Sequence, residues 1–187
     1  MRCSVEAFLL RCNIPRSGPL GRQPQSLWRR AQSRLAGPQS VRPTGVSTMQ
    51  CTINWLPASG MAFAAETGSG HLLLMDGAAD GGGRNLAPRP METVLAGTGG
   101  CTAYDVVLIL QRGRHQVSAC QVVMTSERAT TDPKVFTKIH MHFVVSGPAL
   151  TDAVVERAVR LSHEKFCSAS IMLAKTATIT TSFEIKP

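Results

Sequence analysis

Two of the six cysteines lie in segments that predict reactive thiols. Cys101 follows Gly97-Thr98-Gly99-Gly100, inside a stretch that otherwise has the composition of a helix. Each glycine in a helix interior costs roughly 1 kcal/mol relative to alanine. Three of them therefore predict that another helix, a second subunit or a small substrate approaches this backbone closely. The alternative is a tightly packed and inert cysteine, which is common for free thiols.

Cys167 is the second candidate, and it lies at the join between two predicted helices. His163 precedes it by four residues and Lys165 by two. A cysteine at a helix N-terminus with cations nearby has a lowered thiol pKa. Cys167 takes that cap position if the second helix starts at Ser168. Packing in the core is again the alternative, because apolar residues 171–173 follow it.

The remaining thiols and the histidines give weaker signals. Cys3 and Cys12 lie in the N-terminal segment, while Cys51 and Cys120 lie in predicted strands, where small apolar residues are routine. A zinc site could be assembled from residues that share element faces, namely His140, His142, His163 and Cys167. The close Cys-X-X-Cys or His-Glu-X-X-His spacing typical of zinc sites is missing. We therefore expect no metal site. Residues 77–83 also lack the lysine and hydroxyl residue of a phosphate loop, and we expect no cofactor.

The elements that would position these thiols follow from hydrophobic periodicity and turn signals. Helix 90–112 would carry Cys101, with Pro90 at its start and Gly113 at its end. Glycine-rich and Asp-Pro turns separate the predicted strands, so antiparallel pairing is expected at the hairpins. The order is βββ–α–ββ–αα–β, an α+β pattern. The predicted strands are 50–55, 61–66, 71–75, 117–125, 135–146 and 177–185, and the later helices are 151–165 and 168–175. In strand 135–146 the alternation places Phe136, Lys138, His140, His142 and Val144 on one face, opposite Val135, Thr137, Ile139, Met141, Phe143 and Val145.

Charge and composition divide the chain near Met49. The formal charge is +8, but residues 1–48 hold eight arginines and one acid, a net of +7. Residues 49–187 hold 12 basic and 11 acidic residues, so the predicted domain is almost neutral. It lacks the positive field that attracts phosphates, and we expect no nucleic-acid partner.

The segment 1–48 is rich in Arg, Pro, Gly and Ser, without hydrophobic periodicity, and is expected to be a disordered leader. It resembles a mitochondrial transit peptide, or it is upstream sequence translated from a start placed before Met49. No apolar run approaches 18 residues, so no membrane partner is expected. Six cysteines without a secretory signal indicate a reducing compartment. We expect the cytoplasm, or the mitochondrial matrix if the leader is a transit peptide.

From Met49 onwards the chain resembles the osmotically induced protein C and organic hydroperoxide resistance superfamily (OsmC/Ohr), and within it the YhfA-like branch. The resemblance covers essentially the whole 139-residue segment, with two cysteines beside helices as its signature. The matching stretches are Leu74-Met75-Asp76-Gly77, Pro90-Met91-Glu92, Gly99-Gly100-Cys101, Thr125-Ser126-Glu127-Arg128 and Glu164-Lys165-Phe166-Cys167-Ser168.

This resemblance implies an OsmC-like α+β fold, with an antiparallel-rich sheet and a long cysteine-bearing helix. It implies an intertwined homodimer with active sites at the subunit interface. It also implies a thiol peroxidase cycle, in which Cys101 attacks an organic hydroperoxide and Cys167 resolves the sulfenic acid to a disulfide. The implied partners are the peroxide and a dithiol reductant, with no cofactor.

The resemblance also implies activating groups, and here the sequence departs from it. The family's catalytic glutamate stands ten residues before the first cysteine, where this chain has Met91, so Glu92 is the candidate. On a straight helix Glu92 is about half a turn out of phase with Cys101. The peroxidase branches carry an arginine on the early strands, and Arg84 and Arg89 are the nearest substitutes. Asp105 shares a helix face with Cys101 and is expected to raise its pKa. A non-enzymatic dimer that binds a small apolar or thiol-bearing ligand is the alternative function.

Overall fold

A computed structural model describes residues 48–186. Residues 49–187 form one compact unit. The predictions for the leader fall on residues 1–47, which lie outside the described residues, and they stay predictions.

The domain begins with a three-stranded antiparallel sheet, β1 (Cys51–Leu56), β2 (Ala62–Thr67) and β3 (Leu72–Asp76). The predicted glycine-rich hairpin joins β2 to β3. Thr67 closes it by donating its backbone N–H to the His71 carbonyl at 2.9 Å, and Gly70 takes a φ of 81°. Only glycine adopts that conformation without steric cost. The predicted antiparallel pairing is confirmed in this sheet.

The central helix α1 spans Pro90–Arg112, as predicted. Proline at its first position fits because that residue needs no hydrogen-bonded N–H. The Glu92 carboxylate accepts the Arg89 backbone N–H at 2.9 Å, which caps the helix start. The α1 helix is long and apolar enough to cross a membrane by length and composition, contrary to the expectation from the sequence. Core helices of globular domains are often as long and as apolar, and two residues of α1, Val106 and Leu110, are buried in the hydrophobic core.

The second sheet contains β4 (Ala119–Arg128), β5 (Phe136–Ser146) and β6 (Thr178–Lys186). Strands β4 and β5 are antiparallel, whereas β5 and β6 are parallel. A parallel pair needs a long crossover connection, and the segment between β5 and β6 supplies it.

The predicted alternation of β5 is confirmed from Ile139 to Val145 and fails at Phe136. The odd-numbered residues of that stretch are buried in the core, as expected. Phe136 was predicted on the opposite face, yet it is also buried. The register shifts near Arg128, which pairs with Phe136 while Glu127 pairs with Lys138. The extra residue in β5 reverses the alternation and turns Phe136 inward.

The crossover consists of α2 (Asp152–Leu161), a π-helical turn (Ser162–Phe166) and α3 (Ser168–Leu173). The sequence predicted a single helix through residue 165, and the π turn corrects this. In that turn the Ser162 carbonyl accepts the Cys167 backbone N–H at 2.8 Å, five residues away. Such wide turns often mark functional sites.

One core serves the second sheet and the two longer helices, and it forms because the strands alternate and α2 has an apolar face. The α+β prediction is thereby confirmed. The buried apolar residues of this core are Val106, Leu110, Phe136, Ile139, Met141, Phe143, Val145, Val155, Ala158, Val159 and Ala177.

Candidate functional site

The α1 helix places Cys101 at the edge of the core. Its neighbours Gly99 and Thr102 are buried, while the Cys101 side chain is half-buried. Gly99 lies against the second sheet, where an added Cβ would come within 3.1 Å of the Met124 side chain. A side chain of β4, rather than the helix, subunit or substrate that the sequence suggested, therefore approaches the α1 backbone there. Around Gly97 and Gly100, by contrast, the described residues place nothing within 4 Å of an added Cβ.

The end of the π turn places Cys167 in a fully buried position at the start of α3. Its sulfur accepts the Ser170 backbone N–H at 3.4 Å, and its carbonyl accepts the Ser170 hydroxyl at 3.1 Å. The structure therefore places Cys167 at the predicted cap. Core packing and helix capping, which the sequence offered as alternatives, are both observed at Cys167.

The fold brings the two thiols together with a carboxylate. The sulfurs of Cys101 and Cys167 and a carboxylate oxygen of Asp105 all lie within 4.8 Å of one another. A disulfide requires sulfurs about 2.05 Å apart and Cβ atoms about 3.5–4.5 Å apart. The two sulfurs are therefore close to each other, and both cysteines are free thiols in this structure.

A buried hydroxyl pair connects the two helical segments behind the thiols. The Thr102 and Ser162 hydroxyls are hydrogen-bonded at 2.8 Å, and both residues are fully enclosed. The Ser162 hydroxyl also lies 3.4 Å from Asp105 Oδ2, to which it donates weakly. Since a buried polar group needs a partner, the hydrogen bond between the Thr102 and Ser162 hydroxyls ties the π turn to α1.

The environment of Cys101 raises its pKa above the usual value for a thiol. Burial is the largest cause, because it disfavours the thiolate, and the hydrogen bond with the Cys167 side chain adds to it. The Ala169 backbone N–H opposes these effects by donating to the sulfur. The charges of Cys167 and Asp105 raise the pKa further, as expected for Asp105. No cationic side chain of the described residues is among the causes.

The structure does not bring Glu92 to the cysteines of its own chain. Glu92 is exposed at the start of α1, nine residues before Cys101, which corresponds to about 13 Å along the axis. Its carboxylate serves as a helix cap. A catalytic role for Glu92 therefore stays a prediction, and it requires a thiol from another chain.

The two arginine substitutes also lie apart from the thiols. The Arg84 guanidinium donates to the Ala58 carbonyl at 3.4 Å, beside the first sheet. Arg89 precedes α1 and meets Glu92 through its backbone. Neither is among the groups that influence the Cys101 pKa.

Two structural residues were missed by the sequence reasoning. The Asp76 carboxylate is fully buried and accepts backbone N–H groups of Gly77, Arg84 and Leu86 at 2.7–2.9 Å. It organises the loop before α1, and an aspartate directly before a glycine-rich loop was the available signal. The second is Ser162, which directly follows α2. It lies four residues after the buried Ala158, so its hydroxyl continues the apolar side of the helix with a polar group.

The four residues that the sequence analysis considered as zinc ligands, His140, His142, His163 and Cys167, do not form a common site among the described residues. His140 hydrogen-bonds to the Thr180 and Ser182 hydroxyls, and His142 to Ser182, at 2.7–2.9 Å. These histidines lie on the strand face opposite the core, whereas Cys167 packs on the helical side. Cys51 is exposed, and burial raises the pKa of the Cys120 thiol.

Two surface grooves lie away from the thiols. A groove of about 240 Å³ lies across β4, β5 and β6 of the second sheet, and one of about 480 Å³ lies between α2, the π turn and β6. Neither groove is lined by a cysteine.

Residues 81–182, which include both thiols, match the family of OsmC-like proteins. Protein YhfA of Escherichia coli K12 is 50% identical over 137 residues, which are 73% of this chain and 98% of that protein. A structure from structural genomics is 48% identical with a TM-score of 0.66, covering 73% of this chain and 98% of the other. An organic hydroperoxide resistance protein OsmC from Legionella pneumophila shares the fold at 17% identity, with a TM-score of 0.57 and coverage of 75% and 99%. The chain belongs to the OsmC family.

Proposed function

We propose that the domain is a thiol-dependent peroxidase that reduces organic hydroperoxides through Cys101 and Cys167. The observation that carries this proposal is the distance between the two sulfurs, which lie within 4.8 Å of each other although 65 residues separate them in sequence. The relative from Legionella pneumophila is named an organic hydroperoxide resistance protein, and the proposal extends that activity to this chain.

Exposure assigns the order of the two thiols. Cys101 is half-buried and open to a small molecule, while Cys167 is fully buried. The Cys101 thiolate attacks the outer peroxide oxygen, the O–O bond breaks, and the alcohol leaves after taking up a proton. Cys101 is then a sulfenic acid. The Cys167 sulfur displaces its hydroxyl as water, and a disulfide forms.

Thiol exchange completes the cycle. A dithiol attacks the Cys101–Cys167 disulfide through a mixed disulfide, returns both cysteines to thiols and leaves as its own disulfide. The sulfurs and the dithiol carry all the electrons, so the cycle needs no cofactor. The raised pKa of Cys101 makes this chemistry slow at neutral pH, because only the thiolate attacks.

A second copy of the chain would complete the site, and the first sheet supports this homodimer. One of its faces is apolar across all three strands, where Ile53, Ala65 and Leu73 are paired neighbours. Ile53 is nevertheless 52% exposed and Leu73 39%. Apolar patches of this kind are typical of subunit interfaces. The open space at Gly97 and Gly100 leaves room for the partner beside Cys101.

Ligand binding without turnover is the second candidate. The raised pKa of Cys101 favours this alternative, because it keeps the thiol protonated and a protonated thiol is a poor nucleophile. In that case the dimer holds a small apolar or thiol-bearing molecule beside α1.

The test is a titration of the reduced full chain with an organic hydroperoxide and, in parallel, with hydrogen peroxide. One equivalent of organic hydroperoxide should yield one Cys101–Cys167 disulfide per chain by mass spectrometry, faster than hydrogen peroxide does. Cys101→Ser should abolish peroxide consumption. Cys167→Ser should leave a sulfenic acid on Cys101 that dimedone traps. Cys120→Ser is the matched control and should behave as the wild type.

Thiols that stay reduced under excess peroxide would rule out the peroxidase and favour the binding protein.

A further inference from the structure

The thiol pair contains a feature that peroxide chemistry does not use, the Asp105 carboxylate. Its oxygen lies within 4.8 Å of both sulfurs. The Ser162 hydroxyl lies 3.4 Å from this group, at Asp105 Oδ2, and makes a weak hydrogen bond to it. A negative group kept beside two thiols is what a cation site contains.

We propose that Cys101, Asp105 and Cys167 form a binding site for a soft divalent cation of the zinc class, occupied only when both thiols are reduced.

The ligand types and their spacing fit such an ion. Zinc takes thiolate sulfur at about 2.3 Å and carboxylate oxygen at about 2.0–2.2 Å in a tetrahedral arrangement. Ligand atoms on one tetrahedral ion are therefore about 3.5–4 Å apart. The three atoms here already lie within 4.8 Å of one another, so small rotations of the side chains bring them to bonding distance. Two sulfurs and one oxygen favour zinc or cadmium over magnesium or calcium, which prefer oxygen ligands.

The surrounding groups support the ligands as outer shells of metal sites do. The Ser170 backbone N–H lies 3.4 Å from the Cys167 sulfur, and the Ala169 N–H donates to Cys101. These N–H groups help to fix the positions of the two sulfurs. The hydroxyl pair of Thr102 and Ser162 fixes the turn that carries Cys167 to the helix that carries Asp105.

Charge and proton balance follow from the ligand set. The ion binds two thiolates and one carboxylate, and each thiol releases one proton as its bond to the metal forms. The bound cluster carries a net charge of −1, whereas the three anionic ligands alone would carry −3. Three protein ligands leave a fourth position for water, and the half-buried Cys101 side chain opens it to solvent.

Metal binding and disulfide formation exclude each other, because a disulfide has no thiolate to offer. Zinc would therefore protect the reduced pair from peroxide. The site itself does not rest on the proposed peroxidase, since it needs only the three side chains.

The experiment adds cadmium or zinc to the reduced, metal-free full chain and measures bound metal by equilibrium dialysis and the thiolate-to-cadmium absorption band. We expect one ion per chain and a release of protons on binding. Asp105→Asn should weaken binding at least tenfold, whereas Asp152→Asn, an exposed aspartate on α2, should not change it. Cys167→Ser should remove most of the absorption band, and Cys51→Ser combined with Cys120→Ser should retain it.

Binding of equal strength in Asp105→Asn, or an absorption band that persists without Cys167, would overturn the proposal. Absence of binding to the wild type would overturn it as well. Peroxide oxidation is measured separately, in metal-free protein. A failure to bind metal would therefore leave the test of the peroxidase intact, and a failure of the peroxidase would leave the test of the metal site intact. Bound cadmium should also slow alkylation of Cys101, which a remote surface site would not do.

Discussion

The two three-stranded sheets of this domain differ in how they bury their apolar residues. In the second sheet, Met141, Phe143 and Val145 of β5 are fully buried beneath two helices. In the first sheet, Ile53, Trp55 and Leu73 share one face and are 39–56% exposed. Since β1 and β5 both carry apolar residues at alternate positions, the difference lies in what covers them. The second sheet buries its apolar face within its own chain, whereas the first leaves apolar side chains exposed, as the proposed dimer requires.

The largest effect on stability is expected in the second sheet, whose core-facing apolar residues are buried within the chain. Phe143→Ala removes a fully buried ring from the centre of the core and should lower the free energy of unfolding by about 3–5 kcal/mol. Denaturant titration measures this. Trp55→Ala, which truncates a 56% exposed ring, should cost far less in a diluted sample. If the two variants lost the same free energy of unfolding, the apolar face of the first sheet would have to be as deeply buried as that of the second.

The next prediction concerns association rather than folding. Ile53→Ser should shift the chain towards monomer in light scattering at micromolar concentration, because it places a hydroxyl in the apolar face that a second copy would cover. Val123→Ser is the matched control. Val123 is 45% exposed on the second sheet, close to the 52% of Ile53, and its substitution should leave the mass unchanged. A monomeric wild type with intact folding would contradict the proposed dimer.

The loop between the first sheet and α1, which the Asp76 carboxylate organises, should make the stability of the domain depend on pH. Backbone N–H groups of Leu86, Arg84 and Gly77 hold the pKa of Asp76 below its usual value. A lowered pKa means that the folded state favours the carboxylate, so the stabilisation is present above the unfolded pKa of about 3.9 and is lost as pH falls through the folded pKa.

The change that tests this effect is Asp76→Asn. The variant should melt at a lower temperature at neutral pH and should lose less stability on acidification than the wild type. Thermal melts between neutral and acidic pH measure both. Parallel acid profiles would indicate that Asp76 does not titrate with folding.

The smallest effect is expected at the thiols. Asp105 is the last and weakest of the causes that raise the Cys101 pKa, so Asp105→Asn should lower the midpoint of Cys101 alkylation only slightly. The rate of iodoacetamide labelling against pH measures it. In the wild type the rate should keep rising above the ordinary thiol pKa of about 8.5. A wild-type midpoint below about pH 6 would contradict this expectation, because it would require a cation beside the Cys101 thiol that already activates it.

Periodic and capping signals predicted most of the fold from sequence. The bounds of α1 follow from Pro90 and Gly113, and the β5 pattern predicted its core face. The π turn was not predictable, because it depends on the contact between Ser162 and Thr102, which are 60 residues apart. The bulge at Phe136 likewise depends on pairing with β4. Local patterns carry no information on such long-range contacts.

For the candidate site, the sequence predicted both cysteines and the unfavourable effect of Asp105. It did not predict that the Asp105 carboxylate reaches Cys167 as well as Cys101, because that contact depends on how the crossover packs on α1. The grouping of three metal-type ligands therefore became visible only in three dimensions.

The parallel pairing of β5 with β6 also determines when the two thiols meet. Cys167 lies on the crossover, so its position beside Cys101 depends on a connection that closes only when the final strand, Thr178–Lys186, joins the sheet. Chains emerge from the ribosome with the N-terminus first, and contacts between distant residues form slowly. During synthesis Cys101 therefore leaves the ribosome before Cys167 can lie beside it. In a nascent chain, or in one truncated before Cys167, the Cys101 thiol would lack the neighbouring sulfur that it has in the folded domain.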